Sequence, residues 1–298
     1  MPELLSICIP TYNRAAYLGD LLESLAREHE ATPWAGEIAV HISDNASTDD
    51  TREVIARYAR RLPLSAHRNV DNIGGDRNFA RLIGLSAGDY FWLLGDDETV
   101  QPGSLARLLE LLRPRQYGLL LLPSLHLPAD GAGPPVPRPY LRREPEGGKV
   151  EPLAAELFPH YAAYVERHRE SNPFAMIGHS LISYNVIRRD CFDRELHRRM
   201  LETEDIHYAH MYGMVGGLKR TGAGVYVCAF PVVLVRPVRA TVAASRLLIR
   251  RSWSRYLEWL GREFGHPGLV RHGRSLFSPL DRLNHAFRRR FSRRRPGF

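Results

Sequence analysis

An α/β fold built on a mainly parallel sheet flanked by helices is what this 298-residue sequence predicts. Three observations predict it. Short apolar runs of strand length alternate with amphipathic, helix-length segments over the first 122 residues. The runs are nearly continuous in Ile, Leu, Val and aromatic residues, as strands covered on both faces are. Small polar and acidic residues follow several of the runs, where an open parallel sheet gathers its ligand-binding edge.

LLSICI (4–9) is a buried strand. Asn13 is placed to cap a helix from about Arg14, with Tyr17, Leu18, Leu21, Leu22 and Leu25 on one face. EIAVHI (37–42) is a second strand, and residues 48–61 a second helix led in by Ser47, Thr48, Asp49 and Asp50. PLSAH (63–67) reads as a weak strand, residues 76–87 as a helix and YFWLL (90–94) as a strand. Pro102 opens a helix running to about Arg113, and YGLLLL (117–122) is a further strand. Residues 123–150 are rich in Pro and Gly without periodicity and read as a long loop. Beyond it the pattern suggests a helix over 152–169, a strand or strand pair over 176–187, a helix over 203–218 and a strand over 223–230.

Composition excludes several classes. Cys8, Cys191 and Cys228 are odd in number and far apart, which suggests neither a disulfide framework nor a structural zinc site, so a reducing cytoplasm fits. MPELLSICIP has no basic residue before its apolar run and reads as neither a signal peptide nor a membrane span. The formal charge of +8 is uneven, because residues 241–298 hold 14 Arg against Glu258, Glu263 and Asp281, a local charge of +11 that leaves −3 for the rest. This tail carries two apolar stripes, Ile249, Trp253, Tyr256, Leu257, Leu260 and Phe264, then Leu276, Leu280, Leu283 and Phe287. A packed helical cap and an amphipathic helix on an anionic membrane surface are both open readings. No recognised nucleic-acid module is present, so nucleic acid is not expected as a partner.

FWLLGDDE (91–98) raises the central chemical question. Asp96, Asp97 and Glu98 repel one another unless something positive sits among them. A Mg²⁺ or Mn²⁺ ion does this well, since it commonly takes one or two carboxylates together with substrate phosphates. The alternative is that the acids only cap a turn or the following helix.

IPTYNRAAYLGDLLESL, ISDNASTDDT and HRNVDNIGGDRNFARLIGLSAGDYFWLLGDDE together resemble, in order and spacing, the nucleotide-binding half of inverting glycosyltransferases of family 2, which have the GT-A fold. The resemblance covers roughly residues 4–122. It implies a Rossmann-like GT-A sheet, mixed but mainly parallel, with a C-terminal helical appendage. Residues 1–122 would be its nucleotide-sugar-binding half, 123–240 its acceptor-side half and 241–298 a basic amphipathic tail. Pro10, Thr11 and Tyr12 would lie against base and ribose, and Asp44 would hydrogen-bond the base. Asn72 and Gly74 match a loop near the nucleotide, and Arg77 and Asn78 the family's Arg–Asn pair. Asp96, with Asp97 or Glu98, would be the acidic motif that binds Mg²⁺ or Mn²⁺. Many members carry an acid where this chain has Leu94, and the form here is similar to that of O-antigen abequosyltransferase-like members. Which of the three acids binds metal is therefore open.

TEDIHYAHMYGMVGGLKRTGAGVYV (203–227) resembles a later element of the same family, with Asp205 as general base and Glu204 as the alternative. Two acids at a helix start can also simply favour its dipole. His207 and His210, at i and i+3, do not have the HExxH zinc spacing, and His126, His160 and His179 form no pattern. Tyr161, Tyr164 and Phe174 line either an acceptor pocket or the core. The implied function is sugar transfer from a nucleoside-diphosphate sugar to a glycan or lipid-linked glycan hydroxyl, in the cytoplasm or on the inner face of the membrane. Two rival readings are a sugar nucleotidyltransferase and a non-catalytic membrane- or nucleic-acid-binding protein. PTYNR stands where the former usually has a GxGxR loop.

Overall fold

Twelve strands and nine α-helices are described in the computed structural model, which covers residues 3–31, 34, 36–127, 135–138, 155–169, 182–203, 206–235 and 243–275. The first four strands are β1 (Leu5–Thr11), β2 (Ile38–Asp44), β3 (Leu64–Arg68) and β4 (Tyr90–Leu93). The next four are β5 (Glu98–Val100), β6 (Tyr117–Leu121), β7 (Ser124–His126) and β8 (Val136–Arg138). The last four are β9 (Glu156–Phe158), β10 (Asn185–Arg188), β11 (Gly224–Val227) and β12 (Val233–Val235).

Eight of the strands form one sheet in the order β3-β2-β1-β4-β10-β6-β11-β9. β1 to β4 are mutually parallel; β10 runs antiparallel to β4 and β6, and β9 antiparallel to β11. The chain steps outward from β1 to β3, then returns to place β4 on the other side of β1. That reversal opens a crevice between the β1 and β4 ends, where ligands of open α/β sheets bind.

The apolar runs are continuous because both faces of the sheet are covered. Ile7, Ile9, Tyr90, Trp92 and Leu94 point into one core, while Cys8, Phe91 and Leu93 point into the other, as period-two alternation requires. The first core is closed by α1 (Ala15–Ala31), α2 (Thr51–Tyr58) and α4 (Ser104–Leu112). The second is closed by α3 (Gly75–Leu85), α5 (Tyr161–His168), α7 (Ala209–Thr221) and α8 (Ala243–Glu263), with α6 (Arg194–Leu201) and α9 (Pro267–Ser275) beside it. β3, an edge strand, is polar and half-exposed. α7 approaches the turn at Cys191 so closely that a Cβ on Gly217 would lie 2.2 Å from the Cys191 carbonyl oxygen.

Several elements differ from the sequence reading. The supposed loop over 123–150 contains β7 and β8, which join β12 and β5 in a second sheet ordered β5-β12-β7-β8. The start of the supposed 152–169 helix contains β9, and the helix begins only at Tyr161. The helix expected over 203–218 begins at Ala209, and the short helix α6 precedes it without a sequence signal. Pro102 lies ahead of α4, which opens at Ser104 after the left-handed Gly103. Of the strand candidate at 176–187, residues 176–181 lie outside the described residues, and only Asn185–Arg188 forms a strand.

Among the described side chains, the first tail stripe is spent inside the fold; that of Ile249 lies outside them. Tyr256, Leu257 and Leu260 are buried, and Trp253 and Phe264 pack on the same core. Tyr212 of α7 meets Tyr256 at 5.4 Å and Trp259 at 4.8 Å, centroid to centroid. Leu276, Leu280, Leu283 and Phe287 lie outside the described residues. Tyr161 and Tyr164 are core residues. Phe174 and His179 lie outside the described residues. The three cysteines are free and buried. No described helix is long and apolar enough to cross a membrane.

Candidate active site

The carboxyl ends of β1, β2 and β3 are locked in a row. Thr11 pairs with Asp44, and Asp44 with Arg68, across the sheet. Asp44 is buried; its Oδ1 accepts the Ser47 N–H at 2.8 Å and its Oδ2 pairs with Arg68. Arg68 also donates to the Ser47 carbonyl at 2.7 Å. This places the acid expected to read a base at the sheet edge with one charged partner already in hand.

The turn after β1 is fixed by the turn after β2. Asn13, at φ 52°, donates its N–H to Ser47 Oγ at 2.9 Å and accepts the Thr48 N–H at 2.7 Å. The cap of α1 is therefore not Asn13. Asp49 supplies it from a distant segment, accepting the Ala15 N–H at 2.9 Å. Burial pushes the Asp49 carboxyl up, but bonds from Thr51 and Ala15 outweigh it and hold the group below its ordinary range. Tyr12 is left 42% exposed at the edge, an aromatic face open to a planar ligand. Pro10 is half-buried beside it.

An amide network holds the loop after β3. Asn69 Nδ2 donates to Asn45 Oδ1 at 2.8 Å and to Asn78 Oδ1 at 3.0 Å. Asn45 Nδ2 donates to Asn72 Oδ1 at 2.8 Å, which also accepts the Gly74 N–H at 3.0 Å. Ser43 Oγ donates to the buried Asn78 at 2.6 Å, and Asn78 Nδ2 donates back to the Ser43 carbonyl at 3.0 Å. Asn72 and Asn78 thus brace the loop. Gly74 sits at φ 82°, a conformation that suits glycine. Arg77 is exposed on the first turn of α3. Next to it, Asp76 accepts the Ala209 N–H at 3.0 Å and lies 3.6 Å from His207 Nδ1, tying α3 to the start of α7.

Across the crevice stand the acids after β4. Asp96 is buried and Asp97 half-buried. One Arg14 nitrogen, Nη1, donates to Asp96 Oδ1 and to Asp97 Oδ2, each at 3.0 Å. Burial pushes the Asp96 carboxyl above its ordinary range, more than Arg14 and the Thr11 hydroxyl pull it down, and Asp97 adds to the push. Glu98 differs. It begins β5, lies against Gly95 and Ser183, and its buried Oε2 has no hydrogen-bond partner. Burial, with a smaller push from Asp97 and Asp96, raises its carboxyl to about 8 against the opposing Ser183 bond.

The three acids do not form a three-carboxylate cage. Among the described residues, no group of three or more His, Cys, Asp and Glu side chains is arranged to hold a metal. Glu98 is committed to the buried side, and only Asp96 and Asp97 share a cation. A two-carboxylate site still fits a hard divalent ion that takes its other ligands from phosphates and water. The pair already attracts a cation, and Asp96 remains under-compensated with Arg14 in contact. Glu204 and Asp205 lie outside the described residues.

Sequence reasoning missed Arg14, Arg68 and Asp76. Arg14 left a partial signal as a basic residue just after an apolar run, but that it faces the acids after β4 follows only from the sheet order.

Comparison with known proteins shows what this edge is similar to. The family described as glycosyl transferase family 2 matches residues 6–124. An abequosyltransferase, RfbV, of Salmonella typhimurium is 44% identical over 107 residues, 35% of this chain and 31% of that protein's length. Its match therefore spans about a third of the relative. Among solved structures, residues 1–349 of Staphylococcus aureus TarS, in complex with UDP-GlcNAc, superpose with a TM-score of 0.60 at 16% identity, covering 85% of this chain and 66% of that one. The mannosyltransferase PcManGT of Pyrobaculum calidifontis, in complex with GDP-Man and Mn²⁺, gives 0.54 at 12% identity over 99% of this chain and 84% of that one. These likenesses are of fold, and the fold is GT-A. Residues 6–124, less than half of the chain, match the model of glycosyl transferase family 2.

Proposed function

We propose that the protein is an inverting, metal-dependent glycosyltransferase. It would move a sugar from a nucleoside-diphosphate donor to an acceptor hydroxyl, in synthesis of a bacterial surface polysaccharide or glycolipid. The observation that carries this reading is the meeting of Tyr12, Asp44, Asp96 and Asp97 around one crevice, inside the segment that matches the family. RfbV, TarS with UDP-GlcNAc and PcManGT with GDP-Man and Mn²⁺ support it.

In this reading Tyr12, with Pro10 and Thr11, packs on the base and ribose, and Asp44 accepts a hydrogen bond from the base. Asn72, Gly74, Arg77 and Asn78 shape the loop beside the sugar nucleotide. Asp96 and Asp97 hold Mg²⁺ or Mn²⁺, which when bound offsets the charge of the departing diphosphate. Asp205, with Glu204 as the alternative, takes the acceptor proton while the acceptor oxygen bonds to the anomeric carbon and the bond to the diphosphate breaks. Attack on the face opposite the leaving group inverts the centre. The acceptor is a glycan or lipid-linked glycan, which would bring the enzyme to the inner face of the membrane, with the arginines beyond residue 275 on anionic lipid.

A thermal-shift panel of UDP-, GDP-, CDP- and dTDP-sugars, each with and without Mn²⁺, tests the reading. One donor at about 100 times its Kd should stabilise the fold by about 2.7 kcal/mol, a rise in Tm of several degrees that needs the metal. No rise with any donor in Mn²⁺ would overturn it.

A further inference from the structure

We propose that Arg14 is a built-in counter-cation of the Asp96–Asp97 pair, which competes with the divalent metal in the donor-free protein and turns to the diphosphate when donor arrives. The proposal rests on the assignment of Asp96 and Asp97 to the metal, and it adds a residue to that site.

The geometry places one guanidinium nitrogen 3.0 Å from an oxygen of each carboxylate. Those are the oxygens a hard cation needs. The pair thus has a cation before any metal binds.

Charge sets the two cations against each other. Two carboxylates and one guanidinium sum to −1. Adding a divalent ion with Arg14 in place would set +3 against −2 at contact distances in a half-buried crevice, where screening is weak. Metal and Arg14 therefore oppose one another when no phosphate is present. A donor diphosphate adds two or so negative charges, and both cations then have partners. Donor and metal should each tighten the binding of the other.

The chain is built for this exchange. The backbone on either side of Arg14 is pinned, by Asn13 N–H to Ser47 and Ala15 N–H to Asp49. The Arg14 side chain itself is 42% exposed at the rim. It can swing between the carboxylates and a diphosphate lying over the crevice without moving β1 or α1.

The test is direct Mn²⁺ binding to the donor-free protein, read by the electron paramagnetic resonance of free Mn²⁺. Arg14→Gln should bind Mn²⁺ at least about tenfold more tightly than wild type, as expected from removing a cation at contact distance. Arg14→Lys keeps the charge and should stay near wild type. Arg113→Gln removes an arginine that pairs with Glu37 at the far edge of the sheet and should change nothing. Asp96→Asn should weaken Mn²⁺ binding. Unchanged or weaker binding by Arg14→Gln, with Asp96→Asn weakened, overturns the counter-cation role and leaves the metal assignment standing. Unchanged binding by Asp96→Asn overturns both. Folding of each variant is checked by its melting curve.

Discussion

Asp96→Asn should lower the rate of sugar transfer at saturating donor by about 10²–10³-fold while the protein stays folded. The side chain is buried at the switch point between β1 and β4, pairs with Arg14, and in the proposed reading is the acid that holds the metal beside the diphosphate. Removing one preorganised electrostatic group from a catalytic crevice typically has an effect of that size. Asn keeps the shape and can still accept from Arg14. It also relieves the burial that pushes the Asp96 carboxyl up, so the substitution should not unfold the protein. Steady-state rates and a melting curve on one preparation check both halves. A variant within about threefold of wild type would remove Asp96 from the chemistry.

Glu98→Gln should stabilise the protein, and the gain should grow with pH. An unfolded Glu98 titrates near 4.5, while the folded one is raised to about 8 by burial. Between those values the unfolded chain has released its proton and the folded protein keeps it. Stability therefore falls as pH rises through that window, having been fully present below 4.5. Gln carries no proton to lose and keeps the shape of the neutral acid. The variant should match wild type near pH 4.5 and exceed it by on the order of 2–4 kcal/mol near pH 8, in chelator and without donor. Denaturant melts at several pH values read this directly. A parallel pH dependence for both proteins would contradict a buried neutral Glu98. It would also return Glu98 to the candidates for binding a cation.

The sequence is informative where one periodicity runs long enough. β1, β2 and β4 are apolar because both faces are covered, and α1 shows its buried Leu18, Leu21, Leu22 and Leu25 as a stripe. Three-residue strands have no period to read, so β7, β8 and β9 are hidden in a Pro- and Gly-rich stretch and a supposed helix. α6 gives no apolar stripe because RELHRRML buries only His197. The strand-end acids are legible as a group, since Asp44 and Asp96 come just after apolar runs. Their partners are not. Arg14 and Asp96 stand 82 positions apart, and the cap of α1 is 34 positions from the residue it holds. Contacts of that range exist only once the sheet order is known. The inward turn of the first tail stripe likewise depends on Tyr212, which the tail alone does not reveal.

The most direct measurement is a crystal structure with Mn²⁺ and the nucleoside diphosphate selected by the thermal-shift panel. The expected result is a diphosphate lying over the β1–β4 crevice, with the ion on Asp96 and Asp97, Arg14 swung onto a phosphate oxygen and the base against Tyr12. A nucleotide bound elsewhere, or one at this edge with Asp96 still closed on Arg14 and no ion between them, would contradict it.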